Sequence, residues 1–276
     1  MWQHTQALPM PTTPPDDTPT NPEPGDSYVQ SLARGLEVIR SFSAESPRQT
    51  LTEVAERAGL TRAGARRILL TLQTLGYVHH DGRLFQLTPR MLDLGFAYLS
   101  SLPFWNLAEP VMEALVAEVK ESCSAAVLDG TDIVYVLRIP TQKIMRINLG
   151  VGSRLPAYCT SMGRMLLAGL PEDDLRKRLM DSMPVARTGT TVVDIDLLVE
   201  RIALVRQQGW ALVDQELEEG LISMAAPIKD RQGQTLAALN ISGQANRSNA
   251  QVMQDTMLGP LLAASQTISR MLGLQR

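Results

Sequence analysis

Residues 50–87 leave this chain little choice of local fold. Thr50-Leu51-Thr52-Glu53 is a capping box: the Thr50 hydroxyl accepts an amide from the first turn while Glu53 reaches back to the Thr50 amide. The short helix it opens ends at Gly59. Another starts behind Thr61, turns Ala65, Ile68, Leu69, Leu72 and Leu75 inward, and stops at Gly76. Residues 77–87 then read as two strands around Asp81-Gly82, a dipeptide suited to the positive φ values of a tight hairpin. Upstream, Val29, Leu32, Leu36 and Ile39 recur at spacings of three and four and make the apolar stripe of a further helix. Three helices followed by a hairpin form a winged helix-turn-helix.

The formal charge of −3 argues against a nucleic-acid partner only until it is divided along the chain. Residues 1–27 hold four acids and no base, whereas residues 28–90 hold nine arginines against five acids, a net +4. On a helical wheel the third helix leaves Arg62, Ala63, Arg66 and Arg67 outward at its N-terminal end, the end a recognition helix inserts into the major groove. Arginine there pairs with guanine or phosphate, Thr61 and the helix start suit a phosphate oxygen, and Ala63 keeps the surface low. Thr50 joins them from the preceding helix. In the wing Arg83 is placed against phosphate or the minor groove, with His79 and His80 as exposed strand residues. Docking of the winged helix to another protein is the competing reading, and it has only the acidic overall charge behind it.

Residues 1–26, rich in Pro and Thr and poor in large apolar residues, read as a disordered tail. The winged helix occupies 27–88. Thr88-Pro89 opens a linker helix over 89–102, with Met91, Leu94 and Tyr98 on one seam. From 103 to 276 the pattern is mixed. Helices are predicted at 107–119, 161–168, 175–180, 195–208 and 250–272, and strands at 125–128, 133–138, 145–149, 210–214, 223–228 and 236–242. Strands joined by tight turns with helices collected elsewhere imply an α+β domain built on a mainly antiparallel sheet flanked by helices.

No nucleophile elbow, P-loop, HExxH or dinucleotide fingerprint is present. The histidines are His4, His79 and His80, so the larger domain has no imidazole base. Ser161 has no visible catalytic partner, and the acids Asp214, Glu216, Glu218 and Glu219 read as a solvated loop. An enzyme acting on small carboxylates is therefore disfavoured, with no catalytic residue, metal or cofactor assigned. Cys123 and Cys159 lack ligand spacing and read as small buried apolar residues. Without a long apolar run or a leader pattern the chain is expected in the cytoplasm, away from membranes.

LTEVAERAGLTRAGARRILLTLQTLGYV resembles the DNA-binding domain of the IclR family of bacterial regulators. GVGSRLPAYCTSMGRMLLAGL, GWALVDQELEEGLISMAAPI and LAALNISGQANR resemble its effector domain, and IMRINLGVGSRLPAYCTSMGRMLLA is most similar to regulators of the β-ketoadipate pathway. The resemblance implies a GAF-like effector domain that responds to an aromatic acid such as protocatechuate or 4-hydroxybenzoate, or to a ring-cleavage product. A repressor of another carboxylate pathway is the alternative. Implied partners are double-stranded operator DNA, a second copy of the chain as homodimer or dimer of dimers, and RNA polymerase.

For the effector, residues 155–158 should be extended ahead of a helix capped by Thr160 or Ser161, whose first amides at Ser161, Met162 and Gly163 point at an anion. The family resemblance places an effector carboxylate there and extends the pocket to Ser223, Asn240 and Ser242. Val213, Ser223 and Asn240 stand where glyoxylate-responsive members have an acid, a cysteine and a serine, which argues against that small effector. Arg138, Arg146 and Arg154 are candidate carboxylate partners, and Tyr158 a surface for an aromatic ring.

Overall fold

A computed structural model describes residues 25, 27–141, 149–247 and 249–274. Two compact units divide between Asp93 and Leu94. In the first, helices α1 (Gln30–Arg40), α2 (Leu51–Arg57) and α3 (Arg62–Thr74) enclose a core of Val38, Val54, Ala55, Ala65, Leu69, Leu72, Val78 and Phe85. Strands β1 (Arg48–Gln49), β2 (Val78–His80) and β3 (Phe85–Leu87) form an antiparallel sheet in the order β1-β3-β2. The capping box forms: the Thr50 amide donates to Glu53 at 2.7 Å and the Glu53 amide to the Thr50 hydroxyl at 3.4 Å. Gly59 and Gly76 end the helices at φ +63° and +82°, values costly for a residue with a Cβ.

The two-residue β1 was not expected, because two polar residues carry no alternation for a sequence reading to find. The inward register of the helices also shifts. Val38, not the Val29, Leu32 and Leu36 stripe, is buried; Leu32 and Leu36 are exposed, as is Leu75 at the end of α3, while Ile68 is half-buried. The stripe reads as a core face on periodicity alone, yet Leu32 lines an open groove of about 700 Å³ between α1 and α3. Helix α4 (Met91–Leu99) spans the division between the units, shorter at both ends than expected, and exposes Leu92, Leu94, Phe96 and Tyr98.

The second unit continues through α5 (Trp105–Val119), β4 (Ser122–Asp129), β5 (Asp132–Ile139), β6 (Arg154–Pro156), α6 (Ser161–Leu167), α7 (Glu172–Asp181), α8 (Ile195–Gln208), β7 (Ala211–Asp214), β8 (Leu221–Lys229), β9 (Thr235–Gln244) and α9 (Ala250–Leu274). Its six strands are antiparallel in the order β6-β5-β4-β9-β8-β7. Of the strand expected at 145–149, residues 145–148 lie outside the described residues and Leu149 is in a loop.

Strand alternation divides the two faces of this sheet. One face sends Cys123, Ala125, Ile222, Met224, Leu239 and Ile241 into a core with α5 and α9. The other places Ala126, Ala225 and Ala238 under α6, where small side chains let the helix sit close. Among the described residues no helix is long and apolar enough to cross a membrane, and no group of side chains is arranged to hold a metal ion. Both cysteines are buried and free.

Candidate functional site

In the first unit, α3 starts where Thr61 accepts the Gly64 amide at 3.1 Å. Arg62, Ala63, Arg66 and Arg67 are all exposed from that point, and among the described residues none of these arginines forms an ion pair. The Thr50 hydroxyl is committed to Glu53, so Thr50 shapes the start of α2. At the wing, the Asp81 carboxylate accepts from the amides of Leu84 (2.8 Å) and Arg83 (3.1 Å) and pairs with Arg48 on β1. Those amides, then Arg48, hold its carboxyl down to about 2. The turn is thereby fixed, and Arg83 is exposed at its tip.

In the second unit the polar end of the α6 face of the sheet forms a recess. Arg138, Asn240, Ser242 and Ser223 line it from the sheet, Thr160, Ser161 and Met162 from the start of α6, and Tyr135, Leu149, Cys159, Val213, Leu217 and Leu221 complete the wall. Arg138 donates to the Ser124 hydroxyl at 3.2 Å; Asn240 accepts from the Ser124 amide at 3.0 Å and donates to Ser242 at 2.9 Å. This network fixes the side chains across β5, β4 and β9 before any ligand arrives. The buried Ser161 hydroxyl, by contrast, has no hydrogen-bond partner among the described residues. The recess encloses about 20 Å³, room for about one water, so a larger ligand enters only as wall side chains move apart.

A β-bulge sets which residues of β5 face the recess. Ala125 is opposite Leu137 and Ala126 opposite Tyr135, which leaves Val136 as the extra residue. Val136 and Leu137 both enter the α5/α9 core, and Tyr135 and Arg138, three apart, share the recess side. Strict alternation puts residues 135 and 138 on opposite faces, so no periodicity in the sequence points to Tyr135. Burial pushes its phenol up to about 12 against the opposing pull of Arg138, and burial likewise pushes the Cys159 thiol up to about 11. Both groups are neutral near pH 7.

Helix α6 is held in place by two features. Gly163 lies against the backbone of Ala157, where an added Cβ would meet the carbonyl oxygen at 2.2 Å. Arg164, 3% exposed, donates from Nη2 to Glu216 at 2.6 Å and from Nε to the Tyr158 carbonyl at 2.9 Å. Glu216 also accepts the Val192 amide at 3.1 Å. Glu216 therefore departs from the solvated loop expected for the acids after residue 214: its partner lies 52 residues away and is invisible to a local reading.

Several expected site residues fall elsewhere. Tyr158 is buried away from the recess, its hydroxyl donating to the Val185 carbonyl at 2.8 Å. Arg154 is taken by Asp129 and Asp132, at 2.6 and 3.2 Å, at the β4–β5 turn. The Gly163 amide is spent on the Thr160 hydroxyl at 3.2 Å, and α6 has only seven residues. Arg146 lies outside the described residues. Arg138, Ser161, Met162, Ser223, Asn240 and Ser242 do converge on one recess.

Two family models match the chain: "IclR helix-turn-helix domain" over residues 31–82 and "Bacterial transcriptional regulator IclR C-terminal" over residues 96–270. The chain is similar to the Pca regulon regulatory protein of Pseudomonas putida, at 44% identity over 89% of this chain and 84% of that one. It is also similar to the p-hydroxybenzoate hydroxylase transcriptional activator of Acinetobacter baylyi, at 37% identity over 86% and 89%. Among solved structures, an IclR homologue from Microbacterium hydrocarbonoxydans complexed with 4-hydroxybenzoate superposes with a TM-score of 0.76, at 25% identity over 88% of this chain and 98% of that one.

Proposed function

The chain belongs to the IclR family of bacterial transcriptional regulators, and on that premise we propose that an aromatic acid bound beneath α6 controls how its winged helix engages operator DNA. The observation that carries this reading is the recess: a guanidinium, Arg138, and an unpartnered buried hydroxyl, Ser161, meet apolar walls from Met162, Leu149 and Leu217. A carboxylate fits the cation, whose planar fork offers five donors, and an aromatic ring fits the walls. The relative named for the Pca regulon and the homologue holding 4-hydroxybenzoate support the ligand class. Ser223, Asn240 and Ser242 form the polar floor.

On the DNA side, Arg62, Ala63, Arg66 and Arg67 enter the major groove, Thr61 and Thr50 frame the helix starts near the phosphates, and Arg83 contacts the backbone or minor groove. One recognition helix reads too few base pairs for genomic specificity, so the working species is a homodimer or a dimer of dimers. In the first unit the exposed Leu32 and Leu75 on the α1–α3 groove and Leu36 on α1, and in the second unit Leu94 and Tyr98 of α4, are apolar side chains available for that pairing. Acting on DNA, the protein works in the cytoplasm, where it meets RNA polymerase. A gel shift tests the reading: 4-hydroxybenzoate or 3,4-dihydroxybenzoate is expected to change the affinity or footprint of the full chain on its operator. An identical footprint across both acids and neither would refute ligand control.

A further inference from the structure

Among the described residues Tyr135 is the one aromatic residue lining the recess, and it is 4% exposed. Its backbone is pinned on the edge side: the Tyr135 amide donates to the Ser153 carbonyl at 3.0 Å, and the Gly152 amide donates to the Tyr135 carbonyl at 2.8 Å. On the inner side it is in register with Ala126. The ring position is thus a property of the sheet and not of a loop. No side chain or backbone group among the described residues hydrogen-bonds the Tyr135 hydroxyl. That oxygen is not one of the fully enclosed side-chain atoms left without a partner, so it keeps access to a partner that enters from outside the protein, a water or a polar group of a ligand in the recess.

The chemistry of that partner follows from the two polar groups that the bulge at Val136 sets on the same side. Arg138 is a cation and favours a carboxylate. Tyr135 stays protonated, as burial pushes its phenol up to about 12. A neutral hydroxyl donates one hydrogen bond and accepts others, which matches another neutral hydroxyl. It does not offset a second buried negative charge. Ser161 adds a further neutral hydroxyl without a partner among the described residues.

We propose that Tyr135 determines effector specificity by hydrogen-bonding a ring hydroxyl of the bound acid, so that the protein distinguishes hydroxybenzoates from benzoate. The assignment rests on the reading of the recess as an aromatic-acid site. Tyr135 takes the place that the sequence reading assigns to Tyr158, whose hydroxyl donates instead to the Val185 carbonyl.

Calorimetric titration of the full chain with benzoate, 4-hydroxybenzoate and 3,4-dihydroxybenzoate tests it, in the wild type, Tyr135→Phe and Arg138→Gln. The wild type is expected to bind at least one hydroxylated acid about tenfold more tightly than benzoate, the size of one hydrogen bond. Tyr135→Phe removes only the hydroxyl and is expected to erase that ratio while changing benzoate affinity less than twofold. Arg138→Gln is expected to weaken all three acids and preserve the ratio. A ratio retained in Tyr135→Phe, or a wild type that binds benzoate as tightly as the hydroxylated acids, overturns the proposal; the second result is read on the wild type and does not depend on how the variant folds. If the wild type binds none of the three while still shifting operator DNA, the aromatic-acid reading itself fails and takes the role of Tyr135 with it.

Discussion

The indole Nε1 of Trp105 donates a 3.1 Å hydrogen bond to the carbonyl of Val136, the extra residue of the β5 bulge. A bulged residue is left out of the strand ladder, and Trp105 at the start of α5 supplies the donor that the ladder does not. Trp105 also meets Phe96 of α4 edge to face, with centroids 5.9 Å apart. Since the bulge places Arg138 and Tyr135 on one side, Trp105 is a positioning residue for the recess it does not touch. Trp105→Phe, which keeps an aromatic ring and deletes the donor, is expected to weaken aromatic-acid binding about two- to tenfold, the range for one hydrogen bond, with operator binding in the absence of ligand preserved. Equal calorimetric affinity in the variant would mean that the bulge holds without it.

The Arg164–Glu216 pair is buried on both sides, so removing one partner strands the other charge. Arg164→Met is expected to cost about 3–5 kcal/mol of stability, whereas adding Glu216→Leu to the same chain restores much of it. Urea unfolding of both single variants and the double variant measures the coupling. If the double variant is as unstable as the sum of the singles, the two side chains act independently.

Gly163 sits where an added Cβ would overlap the Ala157 backbone, which a flexible side chain cannot relieve. Gly163→Ala is therefore expected to push the start of α6 away from the strand end that precedes it. Lower thermal stability together with loss of effector binding is the predicted pair of effects; a variant with wild-type values for both contradicts the close approach.

On the DNA side, replacing Arg62, Arg66 and Arg67 together with alanine is expected to abolish specific gel shifts. Each base-reading arginine contributes about 1–3 kcal/mol, and each lost phosphate contact flattens the dependence of log K on log salt by about 0.9. All three side chains are exposed and, among the described residues, form no salt bridge, so the variant should remain folded. Unchanged binding and salt slope in a folded triple variant would move the DNA surface elsewhere.

Asp81 gives the wing a defined acid response. Its folded pKa is lowered to about 2 from an ordinary 3.8, chiefly by the Leu84 and Arg83 amides. A depressed carboxylate contributes stability above its unfolded pKa and loses it as pH falls through the folded one. The turn is expected to stay ordered down to about pH 4 and to loosen between about 4 and 2. Amide exchange at Arg83 and Leu84 across that interval reports the change, and Asp81→Asn should weaken its pH dependence.

The winged helix was legible in the sequence because its signals are local: a capping box three residues across, glycines at helix ends and an Asp-Gly turn. The recess was legible only in part. Arg138, Ser161 and the polar floor converge as expected, but the Ser124–Asn240 contact joins residues 116 apart and Arg164–Glu216 joins residues 52 apart. A helical or strand period carries no record of such pairs. Tyr135 was hidden for a sharper reason: one inserted residue, Val136, reverses the side on which every later residue of β5 falls. The exposed stripe on α1 fails in the opposite sense, since periodicity marks an apolar face without saying whether this chain or a second copy covers it.

Thermal or chemical unfolding of the full chain with and without a saturating hydroxybenzoate, for the wild type and Arg138→Gln, most directly tests whether an aromatic carboxylate is held at Arg138. Ligand at 100 times its Kd is expected to stabilise the wild type by about 2.7 kcal/mol, and the same concentration should leave Arg138→Gln with little or none of that gain. A wild type unmoved by every hydroxybenzoate, or an Arg138→Gln variant stabilised as much as the wild type, would contradict an aromatic carboxylate held at Arg138 beneath α6.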